Sequence, residues 1–195
     1  MNVRQFWSLC CFLLIVCIVV VGFGCSPYNI RPSNEGYKEL SIMRGLVQFS
    51  FDYPSTWDLS PIEIQKDLTI ITMFGESTSW SFFVKPVSIH YTSAEVALKD
   101  EISRYRVWLG FNLIERSDIE IGGVLAKQAI YSYRSPQAPT FMGGTGGPPV
   151  PVTIRAIYFT RNGLLWSIRI SSDSDIFESE DVHFEHLLRT FKILD

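Results

Sequence analysis

Hydrophobic and polar positions along this chain fall into three patterns, each predicting a different part of the architecture. The first is an unbroken apolar run, Phe6 to Val21 (FWSLCCFLLIVCIVVV), with Arg4 the one charged residue before Cys25. The second is alternation. Val47, Phe49, Phe51 and Tyr53 are separated by Gln48, Ser50 and Asp52, the period of two expected of a strand with one buried face. Pro54 ends that strand, because proline has no N–H to give a ladder, and Trp57 follows a short turn later. The segments LTIITMF (68–74) and WSFFVKPVSIHY (80–91) read as two more strands, with Pro86 implying an edge position or a bulge. Residues 111–121 and 124–133 flank Gly122-Gly123, and residues 152–161 and 164–171 flank Asn162-Gly163. Both dipeptides suit the positive φ angles of two-residue hairpin turns. The second hairpin's register sets Phe159 opposite Trp166 and Ile157 opposite Ile168, with all four on one face.

The third pattern is helical. Thr92 and Glu95 have the spacing of a capping box, and Leu98, Ile102, Tyr105 and Leu109 recur on one face. A helix over about 93–109 is predicted, with Gly110 as its C-terminal stop. Phe177, Phe184, Leu188 and Phe191 mark a second amphipathic helix at the C-terminus. Strands, helix, strands, helix is an order that suits an α+β domain, an antiparallel sheet with helices packed on it. Between the apolar run and the first strand, residues 26–45 are polar, with Pro27, Pro32, Asn34 and Gly36 and no sustained periodicity. They read as a flexible tether. The expected organisation is therefore a leader or anchor at 1–25, a tether at 26–45 and a folded domain at 46–195.

Length and charge narrow the partners. A chain of 195 residues, 47% hydrophobic and 19% charged, holds one ordinary globular domain plus a leader. The net charge is −3, and beyond Cys25 there are 16 basic against 20 acidic groups. No basic stripe is present to displace counterions from a phosphate backbone, so nucleic acid is not an expected partner. Cys10, Cys11, Cys17 and Cys25 are the four cysteines. The folded part thus has neither a disulfide framework nor a thiolate zinc site.

A basic residue, an apolar run and small residues before a cleavage point describe an export signal. With Cys25 followed by Ser26 and Pro27, the segment resembles a bacterial lipoprotein signal, although Gly22 stands where leucine is usual and bulky Phe23 follows it. The resemblance implies a diacylglyceryl anchor on Cys25. The alternative is an uncleaved membrane-spanning helix, since the apolar stretch approaches the roughly 20 residues a bilayer needs. Either way, the domain is expected at the membrane on its extracytoplasmic face.

Candidate chemistry is sparse. Asp173, Asp175, Glu178, Glu180 and Asp181 could gather a hard cation, but acids at this position belong to the start of a helix, opposite its positive dipole end. His183 and His186 lie three apart on the predicted helix with Glu180 nearby, a spacing that soft or borderline metals accept. A structural zinc site needs a fourth ligand, and His90 is the one other histidine, so a solvated helix face is the preferred reading and no metal or other cofactor is expected. The glycine-rich stretch SPQAPTFMGGTGGPPVP (135–151) lacks the G-x-x-x-x-G-K pattern of a phosphate cradle. It is longer than a hairpin needs, and Phe141 and Met142 are poor choices for a loop tip unless a partner covers them. No G-x-S-x-G elbow or triad signature is present, so an enzyme is not expected.

The strand-and-turn motifs resemble those of the PsbP-like family and its wider superfamily, which includes bacterial DcrB-type lipoproteins. FSFDYPSTW (49–57) is similar to that family's opening strand, IGGVLAKQAIYSY (121–133) to its central strand, and LLRTFKIL (187–194) to its closing helix and short final strand. The resemblance covers residues 46–195. It implies an α/β/α sandwich with a central, mainly antiparallel sheet, and an extrinsic protein that binds or helps assemble a membrane complex without catalysis. The expected function is a membrane-tethered binding or assembly module for a protein partner, with Phe141 and Met142 in the contact. The alternative is a periplasmic metal or small-ligand binder.

Overall fold

The computed structural model describes residues 28–45, 47–65, 68–135 and 148–194. Twelve strands are present among them: β1 (Tyr28–Pro32), β2 (Tyr37–Arg44), β3 (Val47–Pro54), β4 (Asp58–Leu59), β5 (Glu63–Gln65), β6 (Leu68–Phe74), β7 (Thr78–Pro86), β8 (Asn112–Ile121), β9 (Val124–Ser135), β10 (Val150–Arg161), β11 (Leu164–Asp173) and β12 (Lys192–Ile193). The helices are α1 (Ala94–Tyr105) and α2 (Phe177–Thr190). A large sheet runs in the order β4-β6-β7-β11-β10-β9-β8, with β5 beside β6, and a smaller one runs β1-β2-β3-β12. The pairings in both are antiparallel.

Alternation along β10 and β11 separates two cores. Ile157, Phe159, Trp166, Ile168 and Ile170 point into one, which the small sheet and α2 close with Leu40, Ile42, Phe49, Phe51, Phe184, Leu187 and Phe191. Ile154, Ala156, Tyr158 and Leu165 point into the other, closed by Ala97, Leu98 and Ile102 of α1. The architecture is α+β, helix on sheet on a second layer of helix and small sheet. The Asn162-Gly163 turn has φ of 52° and 72°, and it fixes the expected register of Phe159 with Trp166 and Ile157 with Ile168. Those two rings stack with centroids 5.5 Å apart.

Four expectations are corrected. Residues 28–44 are not a tether: β2 pairs with β3 along its whole length, and Leu40 and Ile42 are fully buried. The predicted strand at 80–91 ends at Pro86, which pairs with Leu164 at the end of a central strand, not on an edge. The first helix is capped by Ser93, whose Oγ accepts from the Val96 N–H at 3.3 Å, while Glu95 pairs instead with Arg116 of β8. That helix also stops at Tyr105. The backbone of 106–111 tightens into turns, with Trp108 N–H donating to Tyr105 O and Phe111 N–H to Trp108 O, so Leu109 never reaches the core.

Candidate functional site

The inward face of α1 carries one charge. Glu101 sits one turn from Leu98 and beside Ile102, and it is 2% exposed. A carboxylate there needs donors, and the sheet supplies them. Tyr131 of β9 donates its phenol to Glu101 Oε1, Tyr158 of β10 donates to Oε2, and Arg169 Nε of β11 lies 3.8 Å from Oε1. Burial, followed by the Glu101 carboxylate, pushes both phenols well above the ordinary tyrosine range. Arg169 Nη2 also donates to Tyr105 Oη at 2.6 Å. Helix and three strands are thereby tied through one carboxylate.

Beside this network is a cavity of about 270 Å³, lined by Ser81, Phe83, Lys85, Tyr91, Glu101, Arg104, Tyr158 and Arg169, among others. Lys85 Nζ stands 3.9 Å from the centroid of the Tyr91 ring and 5.4 Å from that of Phe83. The Tyr91 phenol donates to Asp100 Oδ2 at 3.1 Å, and Arg104 Nε is 3.3 Å from the same oxygen. Burial first, and the Arg104 guanidinium second, push the Lys85 ammonium below the usual lysine range, with Asp100 acting against them.

At the adjoining end of the sheet is an apolar turn. Val107 is 86% exposed, Trp108 40% and Leu109 68%, and Leu113 and Ile114 of edge strand β8 are exposed beside them. The turn is held in place. The Arg134 N–H donates to Leu109 O at 2.8 Å, and the Trp108 ring meets Tyr133 edge-on with centroids 5.5 Å apart. Gly110, at φ +67°, then redirects the chain into β8. Exposed Arg106 and Arg134 flank the patch, Arg106 next to Val107 in the chain and Arg134 against Leu109 and Gly110.

The residues singled out from sequence fare differently. Cys25, Phe141 and Met142 lie outside the described residues. The connection carrying Phe141 and Met142 leaves and re-enters the sheet at Ser135 and Val150, which pair with one another next to Arg134 and the apolar turn. His183 and His186 are not a solvated face. His183 Nδ1 shares a 2.9 Å hydrogen bond with Tyr37 Oη, and the His186 ring stacks on Tyr37 at 3.8 Å with Nε2 3.3 Å from Asp52 Oδ2. Both histidines therefore clamp α2 to the small sheet. Of the acidic run, Glu178 and Glu180 occupy the first turn of α2. Asp181 does more. Both its oxygens accept from Arg155 Nη1 at 3.0–3.1 Å, Glu185 accepts at 2.5 Å, and Arg155 Nε donates to Gln128 at 2.8 Å. Burial raises the Asp181 pKa despite the guanidinium. No group of three or more metal-ligating side chains is assembled among the described residues, and none of their helices is long and apolar enough to cross a membrane.

The pocket cations and the apolar turn were missed from sequence. Glu101 on an inward helical position, and Arg169 within a strand, are the signals that were there to be used.

No family model matches the chain, and no curated protein matches its sequence. Solved structures are similar in shape. Cyanobacterial PsbP (CyanoP) from Synechocystis superposes with a TM-score of 0.50 at 12% identity, over 89% of this chain and 96% of that one. The Ran-binding protein Mog1p from Saccharomyces cerevisiae superposes with a TM-score of 0.51 at 8% identity, over 82% and 96%. At such identities the likeness speaks for the fold, and the fold is PsbP-like.

Proposed function

We propose that this chain is a membrane-tethered, extracytoplasmic, non-catalytic binding or assembly module, and that it docks a protein of a membrane complex through one end of its large sheet. The observation that carries this reading is the turn Val107-Trp108-Leu109, bulky, exposed and pinned to the sheet by Leu109 O and the Trp108–Tyr133 contact. Exposed contiguous apolar surface marks an interaction site, and a turn already held in place loses less entropy on docking than a loose one. Val107 and Leu109, the two more exposed, are worth at most about 1.5–3 kcal/mol each once covered. Ser135 and Val150, which flank the connection bearing Phe141 and Met142, pair at the same end, and those two residues are proposed to share in the contact. The arginine rim asks for a partner whose apolar contact is bordered by acidic groups.

The membrane anchor proposed here is a lipid on Cys25, left once the apolar leader before it has been removed. Mass spectrometry of the mature N-terminus tests this: a diacylglyceryl Cys25 is expected, and an intact Met1 with a free Cys25 thiol would contradict it. For the docking surface, a photo-crosslinking residue is placed at Trp108 and, as a control, at Asn162 on the opposite end of the same sheet. In native membranes a discrete protein adduct is expected from position 108 and not from 162. Lipid adducts alone at 108, or equal protein adducts at both, would count against the reading.

A further inference from the structure

Lys85 has no carboxylate of its own among the described residues. The acids nearest it are already engaged: Glu101 by two phenols and Arg169, and Asp100 by Tyr91 and Arg104. What Lys85 has instead are the faces of Tyr91 and Phe83, in a half-buried position on β7. Arg104 from α1 and Arg169 from β11 line the same cavity. Three cations from three elements thus surround a space of about 270 Å³ against two occupied carboxylates. Crowding a cation beside other cations under an aromatic lid is unfavourable by itself, and a bound anion would relieve it. Guanidinium forks match carboxylate and phosphate oxygens in pairs, and an ammonium adds a point charge to either.

We propose that this cavity is a binding site for a small oxyanion, phosphate- or carboxylate-bearing, held by Lys85 and Arg104 at the mouth and Arg169 at the wall. Its size suits a compact head group and leaves no room for a large ligand. Phe83, Ala97 and Leu165 would flank a short apolar stem. The site is separate from the apolar turn and independent of the docking proposal, since none of the turn's apolar side chains lines the cavity.

The test is calorimetric titration of the full chain in uncharged maltoside micelles at low salt. The probes are inorganic phosphate, acetate and short-chain dihexanoyl phosphatidylglycerol. Saturable binding of at least one probe is expected, weakened about tenfold or more in Lys85→Met, as befits loss of a charge-assisted contact. Arg189→Gln, on the exposed side of α2, serves as the control and should bind like wild type. Lys85→Met should unfold at the same denaturant concentration as wild type or a higher one, because it removes a crowded cation. A fold defect would not then explain the lost binding. Preference for phosphatidylglycerol over phosphate would identify a lipid head group as the source, and the reverse a soluble anion. Absence of saturable binding for all three probes, or equal affinity in Lys85→Met, would overturn the proposal.

Discussion

At the scale of single residues, Glu101 shows how one charge organises a helix–sheet contact. Its desolvation is offset by Tyr131, Tyr158 and Arg169 together, so removing it strands both phenols and leaves Arg169 short of a counter-charge. Glu101→Ala should destabilise the domain by about 3–5 kcal/mol, the usual cost of breaking a buried ionic network on one side, as measured by urea unfolding. The two phenols add a pH signature. Their folded pKa values lie above the ordinary value of 10.0, so above that pH the unfolded chain loses protons that the folded one keeps. Their contribution is complete below about pH 10 and is lost as pH rises beyond it, on the order of 1.4 kcal/mol per pH unit for each phenol. A Tyr131→Phe, Tyr158→Phe double variant should show a shallower alkaline decline than wild type, whatever its stability at neutral pH. Helical spacing alone puts Glu101 on the inward face with Leu98 and Ile102. Its partners come from three strands, and no local pattern pairs them.

At the scale of elements, legibility followed hydrophobic contrast. The β10–β11 hairpin combined an Asn-Gly turn with strong alternation, and its register was readable residue by residue. Trp166 is 1% exposed and packs on Phe159, Phe49 and Phe82. Trp166→Ala should therefore cost about 3–5 kcal/mol, visible as a lowered denaturant midpoint. The small sheet was unreadable for the opposite reason. β1 is exposed throughout and owes its existence to pairing with β2, and β2 offers just Leu40 and Ile42 to the core, its alternation blurred by exposed Met43. Leu40→Ala separates strand from tether. The structure requires a loss of about 2–5 kcal/mol, whereas truncating a residue in a solvated tether would leave the midpoint unchanged. The same omission misplaced His183 and His186, because the Tyr37 that covers them belongs to β2. Likewise, Leu109 keeps helical spacing from Ile102 and Tyr105, but the helix ends before reaching it, and the residue becomes surface.

At the scale of the whole molecule, the large sheet has two unlike ends. One carries the short Gly122-Gly123 and Asn162-Gly163 hairpin turns, with Leu125 and Ile89 exposed near them but separate in the chain. The other gathers the apolar turn at 107–109, the exposed start of edge strand β8 and the long connection between Ser135 and Val150. This asymmetry is what the docking account rests on. Phe141 and Met142, the contact expected from sequence, lie outside the described residues, and the apolar turn emerged once Leu109 was seen outside the helix. Native size fractionation of detergent-solubilised membranes tests the account most directly, comparing the full wild-type chain with a Val107→Ser, Leu109→Ser variant whose denaturant midpoint matches wild type. The account predicts that wild type migrates with a large complex and that the variant shifts to the position of the free chain. A variant that stays with the complex in wild-type amount, or a wild-type chain that migrates alone, would contradict it.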